Sequence, residues 1–173
     1  MPQDAQRCSV LALDFETANY DGHSACQLGV VRLVDWQVVE SKAWLIRPPS
    51  DQFVFTYIHG IEWEHVRSER TWAQLWPELL PYFQGVDYFA AHNAPFDRGV
   101  LQKTCAYYGL TAPAQPFIDS VGVARKTWKI FPTKLNNVCE TLGIELQHHE
   151  ALSDAKACAQ ILVRAVQAGW TPG

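Results

Sequence analysis

Residues 9–17 read Ser-Val-Leu-Ala-Leu-Asp-Phe-Glu-Thr. The run Ser9–Asp14 is short, apolar and ends in an acid, which is typical of a buried strand. Two further strand-like runs follow at Cys26–Val34 and Val38–Ile46. Because only Asp35-Trp36-Gln37 separates them, they favour a hairpin. We therefore predict an antiparallel meander of three strands.

Helices and strands alternate after this meander. The pattern predicts strands at Tyr88–Ala91 and Phe117–Asp119, a helix capped by Ser120, and helices at Trp72–Phe83, Pro95–Tyr108, Lys134–Leu142 and Ala151–Ala168. Pro77 is expected to kink or split the first of these helices. The order implies an α/β fold, a mixed sheet with helices on both faces. A site in such a fold lies at the carboxyl ends of the strands.

The composition of the 173 residues is that of a globular protein. Apolar residues make up 48% and charged residues 18%, which excludes a disordered chain. The net charge of −4 excludes the basic surface of a non-specific DNA coat protein. We expect a single domain over residues 1–173, with a core at about residues 9–168.

Cysteine usage and hydropathy bear on the compartment. The five cysteines are scattered and show no zinc-site spacing, which favours a reduced, cytoplasmic protein. Met1–Gln6 lacks the apolar core of a signal peptide, and no segment approaches the ~20 apolar residues of a membrane span. We expect a cytoplasmic protein without membrane attachment.

Two acids stand at the end of the first strand, as Asp14-Phe15-Glu16. Side chains at i and i+2 of a strand share a face, so both carboxylates can meet one hard cation. For an isolated Asp-x-Glu, solvated acids are the commoner explanation. The buried run before Asp14, however, brings that acid to the edge of a core.

Two further acids stand at predicted helix starts. Asp97 follows a strand and a turn, so it either stabilises its helix N-terminus or serves the site. In the same turn Asn93 is either a cap or a substrate contact. Asp154 lies among small residues, so it can face inward, where an unpaired charge is costly. His149 precedes it, and a surface histidine is the alternative there.

Four carboxylates and one histidine suggest phosphoryl chemistry. Mg²⁺ binds through carboxylates and phosphate oxygens, and two ions ~3.5–4 Å apart stabilise both oxygens of an in-line displacement. An imidazole with a pKa of ~6.5 takes a proton near neutral pH. The glycine-rich patterns GxGxxG and GxxxxGK[ST] are absent from the sequence.

These residues form three ordered motifs, and with them the chain resembles the DEDDh exonucleases, the family of the epsilon subunit of bacterial DNA polymerase III. The motifs are Leu13–Thr17, Ala91–Asp97, and His149 followed five positions later by Asp154. Lesser matches are Ile58–Ile61, Phe117–Ser120, and Lys134-Leu135 ahead of Leu142–Ile144. The resemblance spans about residues 10–162 and implies a ribonuclease H-like fold with a five-stranded sheet.

The resemblance also implies roles for these residues. Asp14 would bridge two Mg²⁺ or Mn²⁺ ions. Glu16 and Asp154 would complete the coordination of the first ion. Asp97 would hold the second ion, directly or through water, and His149 would be the general base. The pocket for the 3′-terminal nucleotide would be lined by Thr17, His59, Gly60 and Asn93.

The implied activity is 3′→5′ hydrolysis of single-stranded nucleic acid, with DNA favoured over RNA, releasing nucleoside 5′-monophosphates. The alternative is a non-catalytic nucleic-acid-binding or polymerase-associated module on the same fold. The chain ends soon after the last predicted helix, without the extension by which epsilon grips its polymerase. We therefore do not expect stable replicase association; the oligomeric state stays open.

Two local questions remain open. His148 adjoins His149 and contends for the role of base, although the spacing to Asp154 selects His149. The basic stretch Arg125–Lys134 either steers a phosphate backbone and stacks a base, or is a solvated helix face with its aromatics in the core.

Overall fold

A computed structural model describes residues 7–173 and contains one five-stranded sheet in the order β3-β2-β1-β4-β5. The strands are β1 Ser9–Thr17, β2 Ala25–Val34, β3 Gln37–Leu45, β4 Tyr88–Ala91 and β5 Phe117–Asp119. The first three pair antiparallel, and β4 pairs parallel with both β1 and β5. The predicted mixed sheet is confirmed. The prediction for Met1–Gln6 falls outside the described residues.

The meander turns through a two-residue connection. Asp35 and Trp36 have φ values of 49° and 65°. Positive φ at both central positions gives a turn whose twist matches that of the flanking strands. The hairpin is confirmed, and its connection is one residue shorter than predicted because Gln37 already pairs with Val34.

Seven helices are present in the described part of the chain. They are α1 Thr56–His59, α2 Trp63–Val66, α3 Trp72–Phe83, α4 Ala94–Tyr107, α5 Ser120–Trp128, α6 Leu135–Leu142 and α7 Ala151–Gln167. The one-turn helices α1 and α2 were not predicted, because four residues show no helical periodicity. Ser120 is the first residue of α5 rather than its cap; the Asp119 side chain accepts from the Val121 N–H instead.

Helix α3 is continuous although Pro77 and Pro81 lie within it, so a split at Pro77 is wrong. Thr71 and Gln74 close its N-terminus with reciprocal side-chain-to-backbone hydrogen bonds. Its apolar face is buried against the sheet through Trp72, Leu75, Leu79 and Phe83. This packing offsets the backbone hydrogen bonds that proline removes.

Helices cover both faces of the sheet, as predicted. One face packs against α3 and α4, and the other against α5 and α7. Helix α7 lies close to the sheet because its inner side is made of small residues, Ala151, Ala155, Cys158 and Ala159. No helix among residues 7–173 is long and apolar enough to span a membrane.

Candidate active site

The predicted acids meet at the carboxyl end of β1, beside the ends of β4 and β5. A cleft of about 720 Å³ opens there. Its walls include Asp14, Glu16, His92, Asn93, Asp119, Arg125, Lys134, His148, His149 and Asp154. Residues from three strand ends and the α7 start therefore share one cavity, at the edge of the sheet where the sequence predicts the site.

Asp14 and Glu16 project from one face of β1, as the period of two requires. Carboxylate oxygens of Asp14, Glu16 and Asp154 all lie within 4.8 Å of one another. Asp14 Oδ2 is buried and has no hydrogen-bond partner among the described residues. A buried carboxylate oxygen without a partner is costly, so this oxygen fits a ligand that the protein itself does not supply.

Asp97 lies in the first turn of α4, as predicted, and it is 1% exposed. Its Oδ1 accepts a hydrogen bond from the Phe15 N–H at 2.9 Å, between Asp14 and Glu16 on the strand. Burial raises the pKa of Asp97 to about 8, against the opposing effect of the Phe15 N–H. Asp97 therefore ties α4 to β1 beside the first two acids.

Asp154 lies in the first turn of α7 and faces inward at 5% exposure. Its Oδ2 accepts from the His149 N–H at 3.2 Å, and its Oδ1 lies 3.5 Å from His148 Nδ1. The two imidazoles stack with centroids 3.7 Å apart. Burial, followed by the neighbouring His148 and His59, lowers the pKa of His149. His149 is therefore neutral near pH 7, the form that accepts a proton.

Electrostatics and donor chemistry both fit a hard divalent cation. Burial first, then the charges of Asp154 and Asp97, raises the pKa of Glu16 to about 8. Burial and the neighbouring carboxylates likewise raise the pKa of Asp14 well above its ordinary range. Clustered carboxylates repel one another unless they are protonated or share a cation. Their oxygens are the ligands that Mg²⁺ and Mn²⁺ prefer.

We expect the metal-free protein to lose thermal stability as pH rises from about 5 to about 8. The Glu16 pKa is raised from an ordinary 4.5 to about 8, so between these values the folded state binds more protons than the unfolded chain. The free energy of unfolding then falls with rising pH. Melting temperatures in EDTA across this range measure the effect, and saturating Mg²⁺ or Mn²⁺ should reverse it by binding the folded state.

Glu16→Gln is the matched control for this titration, because the amide keeps the shape and cannot ionise. In EDTA its melting temperature should depend less on pH than that of the wild type. A wild-type melting temperature that stays constant over the range, with or without metal, would contradict the acid cluster.

The predicted substrate-pocket residues are divided between two places. Asn93 is exposed and lines the cleft; its φ of 72° makes it a turn residue, and its side chain does not cap α4. Thr17 is buried. His59 Nε2 bonds the Thr17 carbonyl at 2.9 Å, and its Nδ1 accepts from the Ile61 N–H. His59 lines an adjoining recess with His149, while Gly60 ends α1 in the left-handed region.

Two polar residues of the cleft were not predicted as site residues. His92 bonds Ser120 Oγ through Nδ1 and the Thr133 carbonyl through Nε2, each at 2.8 Å. Asp119 Oδ1 accepts from the Asn93 N–H at 3.0 Å and so joins the strand ends of β4 and β5. His92 belongs to the second motif and Asp119 to a lesser match, which was the only sequence signal for either.

Comparisons with known sequences identify a match over most of the chain. Residues 11–162 match the sequence model of a family described as Exonuclease. The DNA polymerase III PolC-type of Thermotoga petrophila is 30% identical over 94% of this chain, which spans 12% of that relative's length. Exodeoxyribonuclease 10 of Escherichia coli strain K12 is 28% identical over 92% of this chain and 70% of its own length.

A solved structure has the same fold. The nuclease domain of 3′hExo, a DEDDh family member bound to rAMP, superposes with a TM-score of 0.81 at 20% sequence identity. The match covers 96% of both chains. It confirms the predicted ribonuclease H-like fold.

Proposed function

Because this chain belongs to the Exonuclease family, a family of hydrolytic nucleases, we propose that it removes nucleotides one at a time from the 3′ end of single-stranded nucleic acid. The observation that carries this proposal is the carboxylate cluster of Asp14, Glu16 and Asp154, whose oxygens lie within 4.8 Å of one another. Members of the family depend on divalent metal ions, and the buried, unpartnered oxygen of Asp14 fits that requirement.

The acids of the cleft supply the metal ligands in this proposal. Asp14, Glu16, Asp97 and Asp154 hold two divalent cations, Mg²⁺ or Mn²⁺, which when bound would stabilise the attacking and leaving oxygens of an in-line displacement. Asp97 contacts the backbone of β1 directly, so it also fixes the strand that carries the first two acids. The proposed metal ligands lie on β1 and in the first turns of α4 and α7 rather than on loops.

His149 takes the proton of the attacking water. The water oxygen bonds to phosphorus and the bond from phosphorus to the 3′ oxygen of the preceding nucleotide breaks. The leaving 3′ oxygen takes up a proton from solvent to become the new 3′ hydroxyl, and a nucleoside 5′-monophosphate leaves. The lowered pKa of His149, caused mainly by burial, keeps its imidazole neutral and receptive. The hydrogen bond from the His149 N–H to the Asp154 carboxylate supports this role, because it keeps the proposed base beside a proposed metal ligand.

DNA is the favoured substrate. The names of two relatives refer to DNA as the nucleic acid, one as a DNA polymerase and the other as an exodeoxyribonuclease. We further propose one exonuclease domain, because a single sheet organises residues 9–119 and α7 packs back across it. A reducing, cytoplasmic location is consistent with the five cysteines, all free thiols.

A labelled oligonucleotide tests the activity. Single-stranded DNA labelled at its 5′ end should shorten stepwise with Mg²⁺ or Mn²⁺, and EDTA should stop the reaction. A 3′-blocked substrate should resist and a 5′-blocked one should not. If single-stranded DNA, duplex DNA and RNA all stay uncleaved with either metal between about pH 7 and about pH 9, the result would instead favour the non-catalytic binding module.

We expect His149→Asn to lower kcat by about 10²–10⁴-fold, because the proton acceptor is lost. Asparagine is chosen since it tolerates the left-handed backbone of His149, where φ is 69°. Mn²⁺ affinity, measured by isothermal titration, should stay within about twofold, because the Asp154 carboxylate remains.

His148→Asn is the matched control and should cost less than about tenfold in kcat. Asp154→Ala should weaken both metal binding and turnover. A larger kcat loss in His148→Asn than in His149→Asn would transfer the role of base to His148.

A further inference from the structure

We propose that Arg125, Phe131 and Lys134 form a strand-binding shelf at the rim of the cleft, which holds the single strand upstream of its 3′-terminal nucleotide. The inference rests on the proposed function and extends it to the substrate class. Its elements are one aromatic ring and two cations, the combination that recognises bases and phosphates along a single strand.

Phe131 is the clearest anomaly of this segment. Its side chain is 67% exposed, whereas Ile130 next to it is 8% exposed and Trp128 packs against the core. The basic stretch is therefore divided: two apolar side chains complete the core, and one large ring is left in solvent. Phe131 does not itself line the cleft, but the next residue, Pro132, does, so the exposed ring lies beside the cleft, where a bound strand can cover it.

Arg125 links this ring to the cleft. Its guanidinium carbon lies 5.6 Å from the Phe131 ring centroid, and the side chain also lines the cleft. Arg125 Nε donates to Thr133 Oγ1 at 2.9 Å, which orients the planar group. The remaining guanidinium N–H groups are then available to a phosphate that passes the ring.

Lys134 supplies the second cation. It is exposed, lines the cleft and precedes α6. Among residues 7–173, neither Lys134 nor Arg125 forms an ion pair with a carboxylate. The chain as a whole carries a net charge of −4, which does not attract phosphates. Two cations without a carboxylate partner make the rim of the cleft locally attractive to them.

The ligand implied is a polymer, because the shelf combines a ring for a base with two cations for phosphates. Phosphates alternate with bases in a single strand, so one strand can contact both cations and stack on Phe131. A duplex keeps its bases stacked internally and leaves the ring uncovered. The shelf therefore predicts a preference for longer single strands.

The test compares a thymidine dinucleotide with a 12-mer of thymidine. For the wild type, KM should be lower for the 12-mer; in Phe131→Ala this length advantage should shrink about tenfold. Phe131→Tyr keeps a stacking ring and should retain the advantage. Abasic sites upstream of the two 3′-terminal nucleotides should reduce the wild-type advantage to that of Phe131→Ala, because the phosphates remain, and should cost Phe131→Ala nothing further.

Binding of a labelled 12-mer in EDTA, followed by fluorescence anisotropy, tests the cations without hydrolysis. Lys134→Ala should reduce the slope of log affinity against log salt by about 0.7, the value for one contact to a single strand. Lys126→Ala is the matched control, since Lys126 is exposed on α5 but does not line the cleft. It should keep the wild-type slope.

Tyr107→Ala controls for loss of an exposed aromatic residue, because Tyr107 is 53% exposed on α4 and does not line the cleft. A Phe131→Ala variant that keeps the wild-type length advantage, or a Tyr107→Ala variant that loses it equally, would overturn the shelf. Failure of the nuclease proposal looks different: no substrate is hydrolysed, while the anisotropy measurements still report on the shelf.

Discussion

Asp14→Asn should abolish hydrolysis and at the same time stabilise the metal-free protein. The activity should fall on the order of 10³-fold or more, because the residue proposed to bridge both cations loses its charge. The melting temperature in EDTA should rise, because burial and neighbouring carboxylates oppose ionisation of this group. The amide keeps the size of the side chain, so the core is not disturbed.

Turnover of labelled DNA and melting temperature, each with and without Mn²⁺, measure the two effects together. In Asp14→Asn, Mn²⁺ should no longer raise the melting temperature as it does in the wild type. Asp51→Asn is the matched control, since Asp51 is exposed and lies outside the cleft; it should leave both quantities at wild-type values. An Asp14→Asn variant that keeps a tenth of the wild-type rate would contradict the proposed metal site.

Gly29→Ala should cost about 10²-fold in turnover, although Gly29 does not line the cleft. Gly29 lies opposite Asp14 in the pairing of β1 with β2. A Cβ there would lie 2.5 Å from the Ala151 carbonyl and from the Leu152 nitrogen, both backbone atoms at the start of α7. Helix α7 would have to shift, and it carries Asp154 one turn later. The missing side chain therefore sets the approach of Asp154 to Asp14.

The expected signature of Gly29→Ala is a loss of Mn²⁺ affinity of about tenfold or more with secondary structure retained by circular dichroism. Gly122→Ala is the matched control: it lies in α5, and an added Cβ meets nothing within 4 Å. That variant should bind Mn²⁺ like the wild type and be no less stable. Equal losses in the two alanine variants would show that Gly29 does not position the site.

Local rules were sufficient to predict the five strands, the longer helices and the ends of these elements at which the acids stand. The period of two placed Asp14 and Glu16 on one face of β1, and helix-start patterns placed Asp97 and Asp154 in first turns, all as the structure has them. The three motifs identified the family, which the match over residues 11–162 confirms. The roles assigned within the site, His149 as base among them, stay predictions.

Local rules failed where a neighbour distant in sequence decides the outcome. Pro77 was expected to kink or split α3, and the split is wrong, because packing against the sheet supports a continuous helix. For the segment Arg125–Lys134 the sequence left core and surface open, and the structure shows both, because Trp128 and Ile130 pack with α6 and α7 whereas Phe131 is 67% exposed. The sequence of these ten residues does not include the residues of α6 and α7 that pack against them, so it does not determine which side chains are buried.

The sequence by itself determined the kind of chemistry: carboxylates and a histidine at strand ends and helix starts, in one order along the chain. Only the tertiary structure decided that oxygens of Asp14 and Asp154, 140 residues apart in the chain, share one site, and that Asp97 accepts a hydrogen bond from the backbone of β1. The physical reason is packing. Periodicity fixes directions within an element, but the distance between elements depends on the groups that separate them, here the bare backbone of Gly29 under α7.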